Sequence, residues 1–367
     1  MKILFYLGHP AHFHLFKNSI TDLLKGGHKV EVLIKKKDVL EDLLIRSSIP
    51  YHNIMPEGRK DGKIGIAWGL LKRNLRLLFF CLKSKPDIML GTSVEICHIG
   101  FLLHIPAIDV NEDDADVVPL HSKLGYPFAK YILSPDVCNN GKWMHKSIQY
   151  PGYHELAYLH PQNFIPDMQL KKKYIPNDNP YFIIRFVKLN AHHDKGIKGI
   201  SDTIGQKIIE ILKPHGDVYI TSERPLKPEF EPYRLKIDPL DIHHVIAFAN
   251  LYVGDSQTMA AEAGVLGIPF IRFNDFVGRI GYLNDLEIKY KLGYGIKPAN
   301  EYMLYEKIKE LVTTTNLKEK WQVKRHEMLN DKIDVAAFIT WLVTNYQNSV
   351  KKLNNHTTFF NQFSKKL

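Results

Sequence analysis

Cysteine is scarce in this chain of 367 residues, which carries only Cys81, Cys97 and Cys138. The number is odd, the positions are far apart and no CxxC pair occurs, so we expect neither a disulfide framework nor a cysteine metal site. Such sparse cysteine usage is typical of a reducing compartment, and we therefore expect a cytoplasmic protein.

Long apolar runs are also missing from the sequence. No uncharged stretch reaches the roughly 18 apolar residues that a membrane-spanning helix needs. The apolar run Ile3–Leu7 near the N-terminus is too short for the core of a signal peptide and has no small-residue cleavage site after it. It is better explained as a buried first strand.

Acidic residues are outnumbered, with 39 Asp and Glu against 49 Lys and Arg, which gives a net charge of +10. This balance favours anionic partners such as nucleotides or acidic lipid surfaces, although a solvated basic surface explains it equally well. The cations are dispersed and form no compact recognition motif, so we expect no nucleic-acid partner.

Strand and helix patterns alternate along the chain, and the plan occurs twice. The strand Ile3–Leu7, the helix Phe13–Lys25 and the strand Val30–Ile34 form a first βαβ unit, and the pattern restarts at the strand Tyr181–Phe186. Continuous apolar strands of this kind indicate parallel sheets that are covered on both faces. The predicted fold class is α/β with two Rossmann-like doubly wound domains, each binding ligands at the carboxyl ends of its strands.

Composition suggests where the domains divide. A stretch rich in Pro, Tyr, His and Asn follows the first set of elements and looks like a linker. We predict an N-terminal domain at 1–160, a linker at 161–179, a C-terminal domain at 180–347 and a polar basic tail at 348–367.

The segment Val253–Gly264 is the strongest candidate for a binding site. A strand leads into small and hydroxyl residues and then into an Ala-rich helix, which Asp255 or Ser256 can cap. Free amides in the first turn and the helix dipole favour a phosphate there, and Glu262 lies about two turns further on, where its carboxylate could accept both hydroxyls of a ribose. On composition alone, an ordinary capped helix is the commoner explanation.

The run Asp255–Pro269 has the pattern D-S-x-T-M-x-x-E-A-x-x-L-G-x-P and resembles the donor site of GT-B-fold glycosyltransferases. It is close to the pattern of the lipid II synthase and of UDP-GlcNAc 2-epimerase. The resemblance implies a GT-B fold with an interdomain cleft, a ribose contact from Glu262, and diphosphate contacts from Ser256, Gln257 and Thr258. The family has a glycine-rich turn where this chain has Asp255. Because a carboxylate would repel a diphosphate, we expect Asp255 to point away, as a cap or toward a basic partner.

Cationic side chains follow the first strand of the second half. Arg185 and Lys188 are candidates for neutralising the donor diphosphate in a metal-independent transferase. The run His192–Asp194 could suggest a metal, but adjacent residues rarely ligate one ion together and no HExxH spacing occurs. We expect no metal and no cofactor.

The resemblance also implies contacts to the base and to the sugar of the donor. Loops in the corresponding region of related enzymes place base contacts near Thr221, Ser222 and His243. Sugar contacts would come from the loop after the next strand, which carries Arg272, Asn274, Asp275 and Arg279. Solvated loop charge explains these last residues equally well.

The loop Gly8–His12 supplies a candidate base at the carboxyl end of the first strand. His12 precedes His28 by sixteen residues, and many GT-B transferases show a similar spacing from a loop His to a Gly-His pair. Neutral imidazole is suited to taking a proton from a sugar hydroxyl, so we predict that His12 is the general base or orients the acceptor. His9 and His14 are alternatives.

An acidic run after another predicted strand could assist this histidine. Asp113 or Glu112 would bind acceptor hydroxyls or orient His12, with solvated loop charge as the alternative.

The segment 60–85 interleaves large apolar residues with Lys and Arg. This is the form of an interfacial helix on an anionic membrane, although the same helix could pack on the sheet and expose its cations. The resemblance favours peripheral attachment at the inner face of the cytoplasmic membrane, because related enzymes act on lipid-linked acceptors.

The stretch Tyr150–Leu159 is similar to an uncharacterised bacterial and archaeal group within the same superfamily. We therefore expect a metal-independent glycosyltransferase that moves a sugar from a nucleoside diphosphate, UDP in the first instance, to a hydroxyl of a surface polysaccharide or glycolipid. One alternative is an epimerase of the UDP-GlcNAc 2-epimerase type. Another is a non-enzymatic protein that binds nucleotides or lipids.

Overall fold

The computed structural model describes residues 1–37, 39–57, 63–188, 198–346 and 359–364. The chain forms two compact units, one of Met1–Tyr158 together with the described residues from Lys332 onward, and the other of Leu159–Asp331. Each unit is built on one parallel β-sheet. The prediction of an α/β fold with two doubly wound domains is confirmed, whereas the cleft between the domains stays a prediction.

The sheet of the first unit has seven parallel strands in the order β3-β2-β1-β4-β5-β6-β7. The strands are β1 Lys2–Leu7, β2 Lys29–Lys35, β3 His52–Met55, β4 Ile88–Gly91, β5 Ala107–Val110, β6 Tyr131–Pro135 and β7 Ser147–Tyr150. This is the Rossmann order, in which the chain reverses its direction of winding between the first and fourth strands. Ligands of such sheets bind at that reversal, so the carboxyl ends of β1 and β4 are where a site is expected.

Helices cover the first sheet. They are α1 Pro10–Lys25, α2 Leu40–Arg46, α3 Lys63–Ser84, α4 Val94–Leu103, α5 Pro119–Leu124 and α6 Leu156–Leu159. The helix α1 begins at Pro10, and the missing N–H of proline costs nothing at the first helical position. His9 caps this helix, because its side chain accepts a hydrogen bond from the Ala11 amide. Among the described residues, no helix is long and apolar enough to cross a membrane.

The sheet of the second unit has five parallel strands in the order β12-β11-β10-β8-β9. The strands are β8 Tyr181–Phe186, β9 Asp217–Ser222, β10 Leu251–Gly254, β11 Phe270–Phe273 and β12 Gly293–Ile296. Counted from the first strand of this unit, the order is 2-1-3-4-5, the flavodoxin-like arrangement, whose winding reverses between β8 and β10. The helices of this unit are α7 Met168–Tyr174, α8 Asp202–Leu212, α9 Ile242–Ile246, α10 Gln257–Val265, α11 Gly281–Asn284, α12 Glu301–Thr313 and α13 Leu317–Asp331.

The final helix, α14 Val335–Thr344, belongs to the first unit. It packs against α1, where the Ser19 hydroxyl donates a hydrogen bond to the Ala336 carbonyl at 3.1 Å. The sequence analysis placed this stretch in a C-terminal domain of 180–347. The contacts instead join it to the first sheet, because its apolar face covers α1.

Two other predicted segments have regular structure. The linker at 161–179 contains α7, which is capped by the Asp167 carboxylate and lies in the second unit. In the tail at 348–367, the described turn Phe359–Phe363 packs on Trp341 and Phe338, with ring centroids of Phe359 and Trp341 4.6 Å apart. This part of the tail is therefore aromatic and packed.

Candidate functional site

The carboxyl ends of β8 and β10 meet at the reversal point of the second sheet. Arg185 near the end of β8 is paired in register with Gly254 at the end of β10 on one side and with Thr221 on β9 on the other. A Cβ at Gly254 would overlap the hydroxyl of Tyr252, so only glycine fits where this strand turns into α10. The topology thus brings the predicted phosphate-binding residues to the edge where a doubly wound sheet binds its ligand.

The helix α10 has Ser256 as its cap, one of the two residues that the sequence offers for that position. The Ser256 Oγ accepts a hydrogen bond from the Met259 amide at 3.3 Å. Ser256, Gln257 and Thr258 are all partly exposed. Because the first amides of a helix have no partner within the helix, the start of α10 presents donors and a positive dipole end to solvent.

Asp255 is turned away from this helix start, as expected, but it is not the cap. Its buried carboxylate accepts hydrogen bonds from the amides of Val187 at 2.8 Å and Ile200 at 3.1 Å. Asp255 therefore ties together the two ends of the loop that follows β8. Burial raises the pKa of Asp255 to about 6, even though both amides act in the opposite direction.

Arg185 and Thr221 lie side by side with unmet hydrogen-bonding capacity. The Arg185 guanidinium pairs with Glu223, but within the described part of the chain its buried Nε has no hydrogen-bond partner. The nearly buried Thr221 hydroxyl likewise has none among the described residues. Lys188 donates its backbone amide to Glu223 at 3.3 Å. Buried polar groups without partners are costly, and a ligand that bonds to them removes that cost.

Glu262 and His243 form a pair two turns into α10. The His243 Nε2 lies 2.9 Å from the Glu262 Oε1, and both side chains are buried. The ring of His243 also meets the edge of Phe164. The structure thus brings together the residue predicted to bind the ribose and one predicted to lie near the base.

Two other predicted contact residues close local turns. The Ser222 hydroxyl donates to the Arg224 carbonyl at 2.6 Å and accepts from the Arg224 amide at 3.2 Å. The Asp275 carboxylate accepts the Lys198 amide at 2.7 Å and so fixes the end of the loop that follows β8. Both side chains remain partly exposed, and their contacts with base or sugar stay predictions.

Arg272 and Asn274 are completely buried. Arg272 makes two hydrogen bonds with Glu287, from Nε at 2.8 Å and from a terminal nitrogen at 3.2 Å. Asn274 donates to the Asp255 carbonyl at 2.9 Å and accepts the Phe276 amide at 3.0 Å. Because neither side chain reaches the surface, we assign both a supporting role in place of the predicted sugar contact.

His12 stands at the reversal point of the first sheet, in the first turn of α1. Its Nδ1 accepts a hydrogen bond from the Gly8 amide at 3.1 Å. Burial lowers the pKa of His12 well below its ordinary value, and the nearby charges of His9, Lys35 and His154 lower it further. These effects all favour the neutral form of the His12 imidazole.

The predicted alternatives and helpers of His12 have other positions. His9 caps α1, and His14 is buried with its ring between Phe13 and Tyr158. Asp113 is partly exposed, and its amide donates to the Asn111 side chain at 3.3 Å. The hydrogen bond that fixes the His12 ring comes from Gly8, so no carboxylate is needed to orient it.

His12 lies in a histidine cluster with His121 and His154, which the sequence did not indicate. The His121 Nε2 lies 2.7 Å from the Oδ2 of the fully buried Asp109, and the His154 Nδ1 lies 3.4 Å from Glu112. Both rings are close enough to lower the pKa of His12. Asp109 is the residue of the sequence that could have indicated such a partner. It is acidic but lies inside the apolar strand Ala107–Val110, and a buried carboxylate requires a partner.

The described residues contain no group of three or more His, Cys, Asp or Glu side chains placed to hold a metal ion. The run His192–Asp194, which was weighed as a metal ligand set, lies outside the described residues.

Several solved structures share the architecture of this chain. UDP-GlcNAc 2-epimerase from Neisseria meningitidis, bound to UDP-GlcNAc, superposes with a TM-score of 0.66 at 16% identity, over 96% of this chain and 100% of that one. A putative UDP-N-acetylglucosamine 2-epimerase from Listeria monocytogenes gives 0.69 at 13% identity, over 95% and 96%. The spinosyn rhamnosyltransferase complexed with spinosyn aglycone gives 0.58 at 14% identity, over 95% and 100%. The fold is accordingly the two-domain GT-B fold, as the resemblance implied.

No curated protein matches the sequence. The family model described as "Protein of unknown function (DUF354)" matches residues 1–281 of the 367. The match spans both β1 and β10, so it includes the histidine cluster of the first unit and the start of α10 in the second. On this evidence the chain belongs to the DUF354 family.

Proposed function

We propose that this protein is a glycosyltransferase that takes its sugar from a nucleoside diphosphate, UDP in the first instance. The observation that carries the proposal is the start of α10. There the partly exposed run Ser256–Thr258 follows Gly254, which is paired in register with Arg185 at the reversal point of the second sheet, while the Asp255 carboxylate bonds to the Val187 amide. An anion is favoured where helix amides, a dipole end and a guanidinium converge.

The donor diphosphate would lie on the first turn of α10. Arg185 would bond to its oxygens, and the unmet Nε of Arg185 and hydroxyl of Thr221 would gain partners. We propose that this positive charge, with Lys188 nearby, stabilises the departing diphosphate without a metal ion. Glu262, held by His243, would accept the ribose hydroxyls. The neighbours that bind UDP-GlcNAc support UDP as the first nucleotide to test.

In the first unit we propose that His12 binds the acceptor as a hydrogen-bond donor. With Nδ1 occupied by the Gly8 amide, the proton of the neutral ring is on Nε2, which therefore donates. Of the two roles predicted for His12, we therefore propose the orienting one. A neutral, donating imidazole at a helix N-terminus is a known device for polarising an oxygen of a substrate.

A lipid-linked acceptor would be reached through α3. One stripe of this helix is exposed and apolar, and it consists of Trp68, Leu71, Leu75, Phe79 and Leu82. Three cations of this helix are otherwise engaged, because Lys72 and Arg76 pair with Glu57 and Arg73 is buried against Glu95. We therefore propose peripheral membrane contact that depends on the apolar stripe more than on anionic lipid.

The epimerase alternative differs in what it needs. A non-hydrolysing UDP-GlcNAc 2-epimerase converts its nucleotide sugar with no acceptor present and keeps the UDP attached. A transferase releases UDP as it passes the sugar to an acceptor or to water. A non-enzymatic binding protein would bind the nucleotide sugar and do neither.

Incubation of the protein with UDP-GlcNAc and other UDP-sugars, followed by separation of the products, tests the choice. Release of UDP together with a glycosylated acceptor or free sugar supports transfer. Conversion to a C2 epimer with no release of UDP contradicts it and favours the epimerase. If the protein binds a UDP-sugar but forms no product with any donor or glycolipid acceptor, it is a non-enzymatic binding protein.

A further inference from the structure

The first unit contains a histidine–aspartate pair that the proposed donor site does not use. The Asp109 carboxylate lies at the carboxyl edge of β5 and is fully buried. Its Oδ2 meets the His121 Nε2 at 2.7 Å and the Cys97 thiol at 3.8 Å, and its Oδ1 has no hydrogen-bond partner among the described residues. The imidazole is therefore the principal partner of a carboxylate that has no access to water.

His121 itself reaches the surface. The side chain, on the short helix α5, is 21% exposed, and the ring meets the edge of Tyr126. Since Nε2 donates to Asp109, the neutral form of His121 has its lone pair on Nδ1. Within the described part of the chain Nδ1 makes no hydrogen bond. A ring that is oriented by a buried carboxylate and has its other nitrogen free is arranged for proton transfer.

The neighbouring His12 is arranged for the opposite task. Its Nδ1 lone pair is used by the Gly8 amide, so Nε2 carries a proton and cannot accept another. A second proton would have to be added beside His9, Lys35 and His154, each of which opposes the charge. His12 can donate a hydrogen bond to an acceptor oxygen, but it is poorly placed to remove the proton from that oxygen.

We propose that His121 is the general base that removes the proton of the acceptor hydroxyl, with Asp109 as its positioning residue and His12 as the donor that orients the acceptor. This inference rests on the proposed glycosyl transfer. In the step, the acceptor oxygen forms its bond to the anomeric carbon as the bond from that carbon to the diphosphate oxygen breaks. The diphosphate leaves with the electron pair, and the hydroxyl proton passes to the His121 Nδ1.

The charged groups around His121 set the pH at which it can act. Burial lowers the pKa of His121, but the charge and hydrogen bond of Asp109 on β5 outweigh it and the pKa is raised. Glu95 on α4 and Asp113 after β5 act in the same direction, and His12 on α1 faces it as a neutral ring. The free base therefore forms only on the alkaline side of the ordinary histidine range, so the rate of transfer is expected to rise with pH there.

The decisive comparison is between His121→Gln and His12→Gln in the full-length protein, with UDP release from UDP-GlcNAc as the readout and water as the acceptor. We expect His121→Gln to lower kcat by about 100-fold or more, the usual range for a lost general base. We expect its Kd for UDP to stay unchanged. His12→Gln should lower kcat much less than His121→Gln, because it removes the group that orients the acceptor and leaves the base in place. His98→Gln is the matched control, because His98 bonds the Leu124 carbonyl at 2.8 Å and lies outside the cluster.

Asp109→Asn separates proton transfer from a merely structural role. Loss of the carboxylate should lower both the maximal rate and the pKa of His121, so the rise of kcat with pH moves toward acid. A rate that falls equally at all pH values, with no displacement of the profile, would mean that Asp109 only supports the fold and would overturn the pair. A kcat for His121→Gln within about threefold of wild type would overturn the role of His121.

Nitrogen NMR of the histidine rings tests the same assignment without turnover. We expect His12 to stay neutral with its proton on Nε2. We expect the pKa of His121 to lie above the ordinary histidine range and to fall in the Asp109→Asn variant. A His12 that carries its proton on Nδ1, or a His121 that is indifferent to Asp109, would overturn the inference. If no UDP-sugar binds, the proposed function fails, and these NMR results still decide the state of the pair.

Discussion

The Nε2 of His243 lies 2.9 Å from the Oε1 of Glu262, and both side chains are buried beneath the start of α10. The pair joins α9, which precedes β10, to α10, which follows it, so two helices support the proposed nucleotide site. A buried carboxylate fixed by an imidazole can present an oxygen to a ligand without losing its orientation.

Glu262→Gln tests whether this carboxylate binds ribose. We expect the variant to bind UDP about tenfold or more weakly, because a hydrogen bond to a charged group contributes roughly 1.5–3 kcal/mol. The preference for UDP over 2′-deoxyuridine diphosphate should shrink at the same time, since one ribose hydroxyl loses its acceptor. Calorimetric titration of both nucleotides checks this. A lower Tm with an unchanged preference would show that the pair only supports the fold.

Asp255→Asn is predicted to change how stability depends on pH. Burial raises the pKa of Asp255 to about 6, against an ordinary value of 3.8, so the folded protein holds this proton more tightly than the unfolded chain. Protonation of Asp255 therefore stabilises the wild type, fully below about pH 4, and this advantage is lost as the pH rises through about 6. The variant has no such titration, so its stability relative to wild type should improve from acid to neutral pH.

Thermal unfolding at several pH values measures this difference. Asp275→Asn is the matched control, because Asp275 also accepts an amide at an end of the loop after β8 but is partly exposed. A Tm difference between wild type and Asp255→Asn that is constant with pH would contradict the prediction.

Arg272 and Glu287 form a buried ion pair whose partners should depend on each other. Removing one partner leaves an uncompensated buried charge, which typically costs about 3–5 kcal/mol. We expect Glu287→Leu and Arg272→Met each to lower the free energy of unfolding strongly in chemical denaturation. The double variant Arg272→Met with Glu287→Leu should recover much of the loss. If the single and double losses were additive, the pair would not be coupled and the prediction would be wrong.

The exposed stripe of α3 is predicted to bind lipid. Trp68 and Phe79 are each 67% exposed, and replacing both with Ser should remove most of the binding to phosphatidylcholine vesicles in co-sedimentation. Ile288→Ser is the control, because Ile288 is 72% exposed on the second unit. Adding phosphatidylglycerol should have little effect, since Lys72 and Arg76 already pair with Glu57. Binding that needs phosphatidylglycerol and ignores the stripe would contradict the prediction.

The sequence predicted the fold well because its strands are continuous apolar runs. The strand Tyr181–Phe186 has the predicted bounds, and the helix after β10 begins within one residue of the prediction. The short strands β3, β7 and β12 were missed. His52–Met55 and Ser147–Tyr150 mix polar and apolar residues, and Gly293–Ile296 contains two glycines. The membership of α14 in the first unit depends on packing against α1, which no local pattern encodes.

The site was predicted less completely, for a physical reason. The donor motif is contiguous, so Ser256–Thr258 could be found from the chain alone. The partners of buried groups are distant in sequence: Asp109 and His121 are twelve residues apart, and Asp255 and Val187 sixty-eight. Arg272 looked like a loop cation, but its partner Glu287 lies fifteen residues away. The packing of helices and strands determines which buried polar residues become partners. Composition and local patterns do not predict these pairs.

The most direct measurement of the central claim is calorimetric titration of the full-length protein with UDP and with UDP-GlcNAc. We predict one binding site, weakened about tenfold or more by Arg185→Ala through loss of charged hydrogen bonds to the diphosphate. Arg234→Ala should leave the affinity unchanged, because both hydrogen bonds of the Arg234 guanidinium go to Glu231 and Arg234 is not one of the proposed donor contacts. Absence of binding, or equal affinity in the wild type and the Arg185 variant, would contradict a nucleotide diphosphate at the start of α10.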